Sequence, residues 1–329
     1  MDFLAADSLP WLGESQERIR RAAAAGRLPH SMLLLSAAGL GAENLGHWIA
    51  AFALCESAGR PCGACPSCLL LRADNHPDLN VLRVDEDARQ IKVDQVRGLI
   101  ESLELKSYRG GYKVGVIEGA EALNANGANA FLKTLEEPTQ NTLLIMIATP
   151  SHRLPATIAS RCLRIGVRTP SPEAARSWLS THASSAAPAA SWDSALMLAG
   201  GAPLLAAQLD PQRVRTLDEE MRASMERLTA NSVDVTVLAE HWAKSDPALR
   251  LAWLENWITG RVYAGLGIAD SVETAERTRL PAALLKPKIR GLFELLDALR
   301  EFRRFASTGM NQQLALEALL LGGRAALAK

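Results

Sequence analysis

Aromatic residues are scarce, only 5% of the 329 residues. A chain so poor in Phe, Tyr and Trp, and dominated by Ala and Leu, is biased toward helix and away from all-β sandwiches and barrels. Charge of one sign is also missing: 36 Lys and Arg face 36 Asp and Glu. That balance excludes a nucleic-acid binder held by bulk charge and leaves room only for a local basic patch. No apolar run reaches the length of a membrane span, and Asp2, Asp7 and Glu14 interrupt the layout of a signal peptide. These absences predict a cytoplasmic protein without membrane association. Hydrophobic residues at 48% and charged ones at 22% suffice for a sizeable core in two or three domains, and exclude disorder.

Apolar periodicity places the elements. Residues 31–36, 113–117 and 142–148 are short continuous apolar runs of the kind that buried parallel strands show, with 79–84 and 162–167 as weaker members of the same sheet. Residues 13–27, 43–55, 93–103 and 124–137 read as helices between them, the first closed by Gly26 and the last stopped by Pro138. Strands alternating with helices predict an α/β domain, a parallel sheet with helices on both faces. Pro170 and Pro172 mark a linker and Asp210-Pro211 a second boundary. Short helices are expected over 171–181, 191–198 and 203–209, and long amphipathic ones over 214–228, 233–244, 248–263, 288–305 and 311–321. The expected domains are 1–168, 169–209 and 210–329.

The first strand, a glycine-containing loop and the following helix form the context of a phosphate-binding loop. In the pattern G-x-x-x-x-G-K-[ST], backbone amides and the helix N-terminus hold phosphates, Lys neutralises them and the hydroxyl holds Mg²⁺. Aligned on Gly41, with Gly39 inside the loop, this chain has Ser36 at the first position, Ala42 at the Lys position and Glu43 at the hydroxyl position. Both chemical residues are missing. Glu43 also puts an anion at the helix N-terminus, favoured by the helix dipole but repelling a phosphate in the same place. The strand over 113–117 ends in Glu118-Gly119, where a working site has Asp-Glu to hold Mg²⁺ and activate water. The residues admit two readings: an ordinary strand-to-helix loop beside a solvated Glu118, or an ancestral nucleotide site no longer able to hydrolyse ATP.

Cys55, Cys62, Cys65 and Cys68 form a C-x₆-C-x₂-C-x₂-C run, with Pro61, Gly63 and Pro66 supplying tight turns. In a reducing compartment such crowding points to metal rather than disulfides. Four thiolates close a tetrahedral Zn²⁺ shell, leaving no water to activate, so the ion is structural; an iron–sulfur cluster is the competing cargo. His76 reads as a loop residue, not a ligand. Cys162 reads as a small buried hydrophobe, since no base is placed beside it.

Together these residues resemble the δ′ family of bacterial DNA polymerase III clamp-loader subunits, within the AAA+ superfamily. Asn129 to Pro138 (NAFLKTLEEP) is similar to the signature δ′ shares with the γ/τ motor subunits, Leu28-Pro29-His30-Ser31 to the approach to the phosphate loop, and Ser160-Arg161-Cys162 to the Ser-Arg-Cys motif. The four-cysteine module falls where the family has its zinc module. The resemblance is specific to about residue 168, softer to about 209 and architectural in the C-terminal helices, where the family has a collar. It implies a RecA-like AAA+ domain with a zinc insertion, a small helical lid and an oligomerisation collar.

The resemblance also implies partners: a δ subunit and γ/τ motors in a hetero-pentameric ring that opens the sliding clamp and places it on primed DNA. Arg161 would then be a trans arginine finger, reaching a neighbour's ATP site; read in isolation it is a surface ion-pair residue. Lys133 and Glu136 can pair across one helical turn, and the signature puts them on the nucleotide-facing or subunit-facing side. Motors carry a cis-sensing arginine in the second domain, and Gly200-Gly201-Ala202-Pro203-Leu204 has none. Trp242, Trp253 and Trp257 read as core or subunit-interface residues rather than a base-stacking platform. The expected function is a non-hydrolysing loader subunit; a nucleotidyltransferase activity would belong to the holoenzyme. An active γ/τ-type ATPase and a zinc-containing DNA-binding protein are the alternatives. Ala42 and Glu43 weigh against the first and neutral charge against the second.

Overall fold

The computed structural model describes residues 3–85, 88, 90–149, 154–183, 192–265, 289–305 and 311–327. They belong to two compact units, Met1–Trp178 with Ala202–Leu205, and Leu179–Gly201 with Ala206–Lys329. The first unit is built on five parallel strands: β1 (Ser31–Leu35), β2 (Leu79–Leu82), β3 (Lys113–Glu118), β4 (Thr142–Ala148) and β5 (Leu163–Gly166), in the order β2-β3-β4-β1-β5. All five expected strands are present, and β4 has the expected bounds.

Seven helices precede the end of this unit among the described residues: α1 (Gly13–Ala24), α2 (Ala42–Leu54), α3 (Pro66–Arg72), α4 (Val93–Glu104), α5 (Ala125–Ala130), α6 (Leu132–Glu136) and α7 (Ala156–Ala159). Successive strand residues point to opposite faces, so the continuous apolar runs bury two layers at once. Leu33, Ile117, Leu144 and Met146 join Val96, Leu99 and Leu103 of α4, Ala128 of α5 and Leu135 of α6 in one core. Leu34 and Ile147, one register step away, pack on α2 around Gly46. The sheet therefore carries helices on both faces, as the α/β pattern requires.

One element differs from its expected form. The single helix over 124–137 is two short ones, separated at Phe131. Phe131 keeps near-helical angles, φ −74° and ψ −17°, with its ring fully buried, so the chain direction persists while the hydrogen-bond ladder restarts. Asn124 opens the first piece, its side chain accepting from the Gly127 amide at 2.8 Å.

Beyond α8 (Pro172–His182), which crosses the unit boundary, the described elements are helical: α9 (Trp192–Leu198), α10 (Pro203–Ala206), α11 (Pro211–Thr229), α12 (Val235–Lys244), α13 (Pro247–Gly265), α14 (Ile289–Phe305) and α15 (Gln312–Leu327). Asp210 caps α11 by accepting from the Gln212 amide, with Pro211 in the first turn, and Asp234 caps α12 in the same way. Trp242, Trp253 and Trp257 are buried core residues of the second unit. The Trp253 indole donates to Asp218 at 2.6 Å, and Arg250, itself buried, pairs with Glu220 and caps the Ser245 carbonyl. No described helix is long and apolar enough to cross a membrane.

Asp78, just before β2, is a buried carboxylate that the sequence pattern does not reveal. It accepts from the Tyr108 amide at 2.7 Å, the Arg109 amide at 3.0 Å and the Ser107 hydroxyl at 3.0 Å, fixing the loop between α4 and β3. Asp78→Ala leaves those donors without an acceptor and is expected to cost about 3 kcal/mol. Urea unfolding of the variant checks this, and a loss below about 1 kcal/mol contradicts the role.

Candidate functional site

The loop after β1 turns on two glycines and carries neither the lysine nor the hydroxyl of the phosphate-loop pattern. Gly39 and Gly41 have φ of +76° and +86°, the left-handed region, and Gly41 caps α2 with the Leu45 amide bonding back to its carbonyl. Its surroundings are apolar. A Cβ on Gly39 would lie 2.4 Å from Leu205 Cγ, and one on Gly41 would lie 2.8 Å from Leu9 Cδ1. The Leu204 amide donates to the Gly39 carbonyl at 3.2 Å, and the Trp11 indole donates to the Leu40 carbonyl at 2.8 Å. Ala42 is buried at the Lys position, while Glu43 is exposed at the hydroxyl position. Leu204 thus bonds the loop through its amide, and no arginine stands between Ala202 and Leu205.

Glu118, at the end of β3, is held by two side chains. His47, on α2 past the loop, donates Nε2–H to Oε1 at 2.6 Å, and Arg83, after β2, reaches Oε2 at 2.7 Å. Burial pushes the Glu118 carboxyl up, but the His47 and Arg83 hydrogen bonds and charges outweigh it and hold the group below its ordinary value. A carboxylate that would coordinate Mg²⁺ in a working site is here the centre of an internal ion cluster. Neither of the two readings of Glu118 included that cluster: the side chain is only 18% exposed and fully partnered.

The four cysteines converge. Their sulfurs all lie within 4.8 Å of one another, and they can hold a metal ion. Tetrahedral coordination with metal–sulfur bonds of about 2.3 Å separates sulfurs by about 3.8 Å. The Cys55–Cys65 and Cys62–Cys68 pairs lie 3.8 and 3.9 Å apart. Helix ends supply the convergence: Cys55 is the C-cap of α2, Cys65 the N-cap of α3 with Pro66 behind it, and Cys68 lies inside α3. The amides of Ala64 and Cys65 donate to the Cys62 sulfur and hold its pKa at about 6, favouring the thiolate that a metal needs; burial pushes the Cys68 and Cys55 thiols up.

Behind the cysteines runs a polar relay. The Asp78 amide donates to His76 Nδ1 at 3.1 Å, so the imidazole proton is on Nε2, which donates to Ser67 Oγ at 3.2 Å. Ser67 in turn donates to Glu56 at 2.7 Å, and Arg109 also donates to Glu56 at 2.8 Å. His76 thus faces Ser67 with an N–H, not a lone pair, which excludes a Ser-His nucleophile pair and leaves His76 an anchor of the module, outside the cysteine cluster.

Arg161 lies just before β5, at the N-terminal end of the strands and opposite the glycine loop. Its Nε donates to Glu136 Oε1 at 2.8 Å, its Nη2 contacts the same oxygen, and its Nη1 donates to the Thr157 carbonyl at 3.0 Å. Its own carbonyl accepts from Ser31 Oγ at 2.8 Å. His30, the preceding residue, donates from Nε2 to the Leu135 carbonyl at 3.1 Å. The Glu136–Lys133 pairing suggested by their spacing gives way to Glu136–Arg161, a long-range contact that spacing within one helix cannot reveal. Cys162 is buried, and burial pushes its thiol pKa up, in keeping with a small hydrophobe.

Comparison with known proteins follows the same division. A family model described as DNA polymerase III, delta subunit matches residues 13–171, and a second, DNA polymerase III, delta subunit, C terminal, matches 219–324. DNA polymerase III subunit delta′ of Pseudomonas aeruginosa is 35% identical, over 89% of this chain and 90% of that one. Subunit delta′ of Escherichia coli is 30% identical, over 95% and 94%. Subunit tau of Escherichia coli is 32% identical, over 44% of this chain and 22% of tau.

The ion cluster has a pH signature. Because the folded pKa of Glu118 lies below its ordinary 4.5, its stabilisation is fully present above that value and is lost as pH falls through the depressed one. Glu118→Gln is therefore expected to be less stable than the native chain at neutral pH, with the gap narrowing in acid. Urea unfolding at a series of pH values reads it; a gap independent of pH rejects the cluster.

Proposed function

We propose a function from one premise: the chain belongs to the DNA polymerase III subunit delta′ family. It acts as a non-hydrolysing, stator-like subunit of a clamp loader, assembled with a delta subunit and gamma/tau motors in a five-subunit ring that places the sliding clamp on primed DNA. The sheet domain over 1–168, a small helical lid over 169–209 and a helical collar over 210–329 are part of this reading. Its catalytic contribution is made in trans by Arg161, in a neighbour's ATP site.

The polarity of the sheet is the observation that carries it. All strands run parallel, the chain's own phosphate loop leaves the C-terminal end of β1, and Arg161 is bonded to the N-terminal end. Five strand residues separate the ends by about 16 Å. Arg161 therefore lies a strand length from its own loop, which supports a phosphate partner on another chain. The apolar packing on Gly39 and Gly41 and the pairing of Glu118 support the absence of hydrolysis at the cis loop. The similarity to tau over the shared part supports motors of that type as partners.

The cysteine cluster holds structural Zn²⁺. Four thiolates at tetrahedral spacing favour a single ion, since a polynuclear iron–sulfur cluster would spread its ligands further. Elemental analysis is expected to give about one zinc per chain, and Cys65→Ser to remove it and lower the melting temperature by about 10 °C. Iron, or no metal, rejects the assignment.

The finger is tested by DNA-stimulated ATPase of a reconstituted loader, with assembly checked by size exclusion. Arg161→Ala is expected to lower turnover about tenfold in an intact ring, less than the full arginine-finger effect because the other interfaces stay complete. Unchanged turnover in an intact ring makes the chain a spacer.

A further inference from the structure

We propose that Glu136 is the positioning residue of Arg161, and that His30 and Ser31 form the frame that holds the two in register. This rests on the reading of Arg161 as a trans finger.

Three sequence-distant segments meet at the N-terminal end of β1. Ser31 bonds the backbone of Arg161, and His30 bonds the backbone of Leu135, directly before Glu136. Two consecutive residues at the start of β1 thereby fix the main-chain positions from which the acid and the base project. The strand itself is held on both edges, Ser31 in register with Leu144 and Met32 with Leu163. Between the fixed backbones, Glu136 takes Nε and Nη2 of the guanidinium, and the Thr157 carbonyl takes Nη1.

A guanidinium has five N–H bonds; with Nη1 also reaching Ser160 Oγ at 3.4 Å, these contacts leave an Nη2 N–H for phosphoryl oxygens. An arginine on a flexible four-bond stem must be ordered before it stabilises a transition state; here that ordering is done before the neighbour arrives. Arg161 and Glu136 are 35% and 51% exposed on their side chains, accessible to a partner while paired. The same arrangement accounts for three motifs, Leu28-Pro29-His30-Ser31, the Glu136-containing helix and Ser160-Arg161-Cys162, as parts of one assembly.

The test is a double-mutant cycle in the reconstituted loader, with ATP and primed DNA: Glu136→Ala, Arg161→Ala and both. Glu136→Ala is expected to lower kcat about fivefold to twentyfold, with KM for ATP changed less than about twofold, and to have no further effect once Arg161 is Ala. Glu136→Gln, which keeps an oxygen for Nε–H, is expected to recover part of the loss. An effect of Glu136→Ala that persists beside Arg161→Ala assigns it to folding and overturns positioning. A higher kcat makes Glu136 a restraint and overturns it too. Full turnover in Glu136→Ala beside a crippled Arg161→Ala overturns positioning alone, whereas unchanged turnover in Arg161→Ala removes the finger reading and this inference together.

Discussion

Strand β1 is hydrogen-bonded on both edges, to β4 and to β5, and packed on both faces, by the α4–α6 side through Leu33 and by α2 through Leu34. The glycine loop and the Glu136–Arg161 pair both hang from it. Its C-terminal end launches the phosphate loop, and its N-terminal end carries the His30 and Ser31 contacts to the Glu136–Arg161 pair. A parallel strand so enclosed cannot slip by one residue without turning Leu33 and Leu34 to the wrong faces and breaking two ladders at once. The distance between the glycine loop and Arg161 is therefore a property of the sheet, not of the loops.

What happened at the cis loop is a substitution of internal partners for external ones. A working site leaves a carboxylate and a lysine unsatisfied until nucleotide and Mg²⁺ arrive, a standing cost that ligand binding relieves. Here the Glu118 charge meets His47 and Arg83, and the glycine loop is packed by Leu9 and Leu205. Both changes lower the energy of the empty state. A nucleotide would have to displace leucine packing while meeting Glu43 and finding no lysine.

Much of this was legible from residue pattern. Continuous apolar runs gave away β1, β3 and β4, because a strand buried on both faces has no polar register to hide in, whereas β2 and β5, interrupted by Asn80 and Arg164, were legible only as weaker members of the same sheet. The cysteine cluster was legible from spacing and turn residues, and Ala42 and Glu43 from a template whose positions have fixed roles. The missing parts are long-range pairs. His47 meets Glu118 across 71 residues and Ser31 meets Arg161 across 130, separations over which no periodicity carries information. Glu136 was misassigned for the same reason: a local partner at the right spacing, Lys133, was visible, and the distant one was not. The break at Phe131 escaped because near-helical angles continue through it and every flanking residue tolerates a helix.

Helix α2 links the two chemistries. Its first turn belongs to the phosphate loop, His47 in its middle holds Glu118, and its C-cap is Cys55 of the metal cluster. A ligand shifts a conformational equilibrium only through its different affinity for the two states. In a motor subunit, nucleotide at the loop supplies that difference at the first turn of this helix. On the proposed reading, with the loop packed by leucines, the carboxylate paired internally and the far end clamped by an ion, nucleotide does not supply that difference to α2 of this chain. A loader ring needs an arginine whose position does not depend on its owner's nucleotide, so that turnover at the interface reports the neighbour's state alone. On this reading the lost cis chemistry and the retained Arg161 frame are one adaptation: inertness at one end of β1 makes the other end a fixed reference.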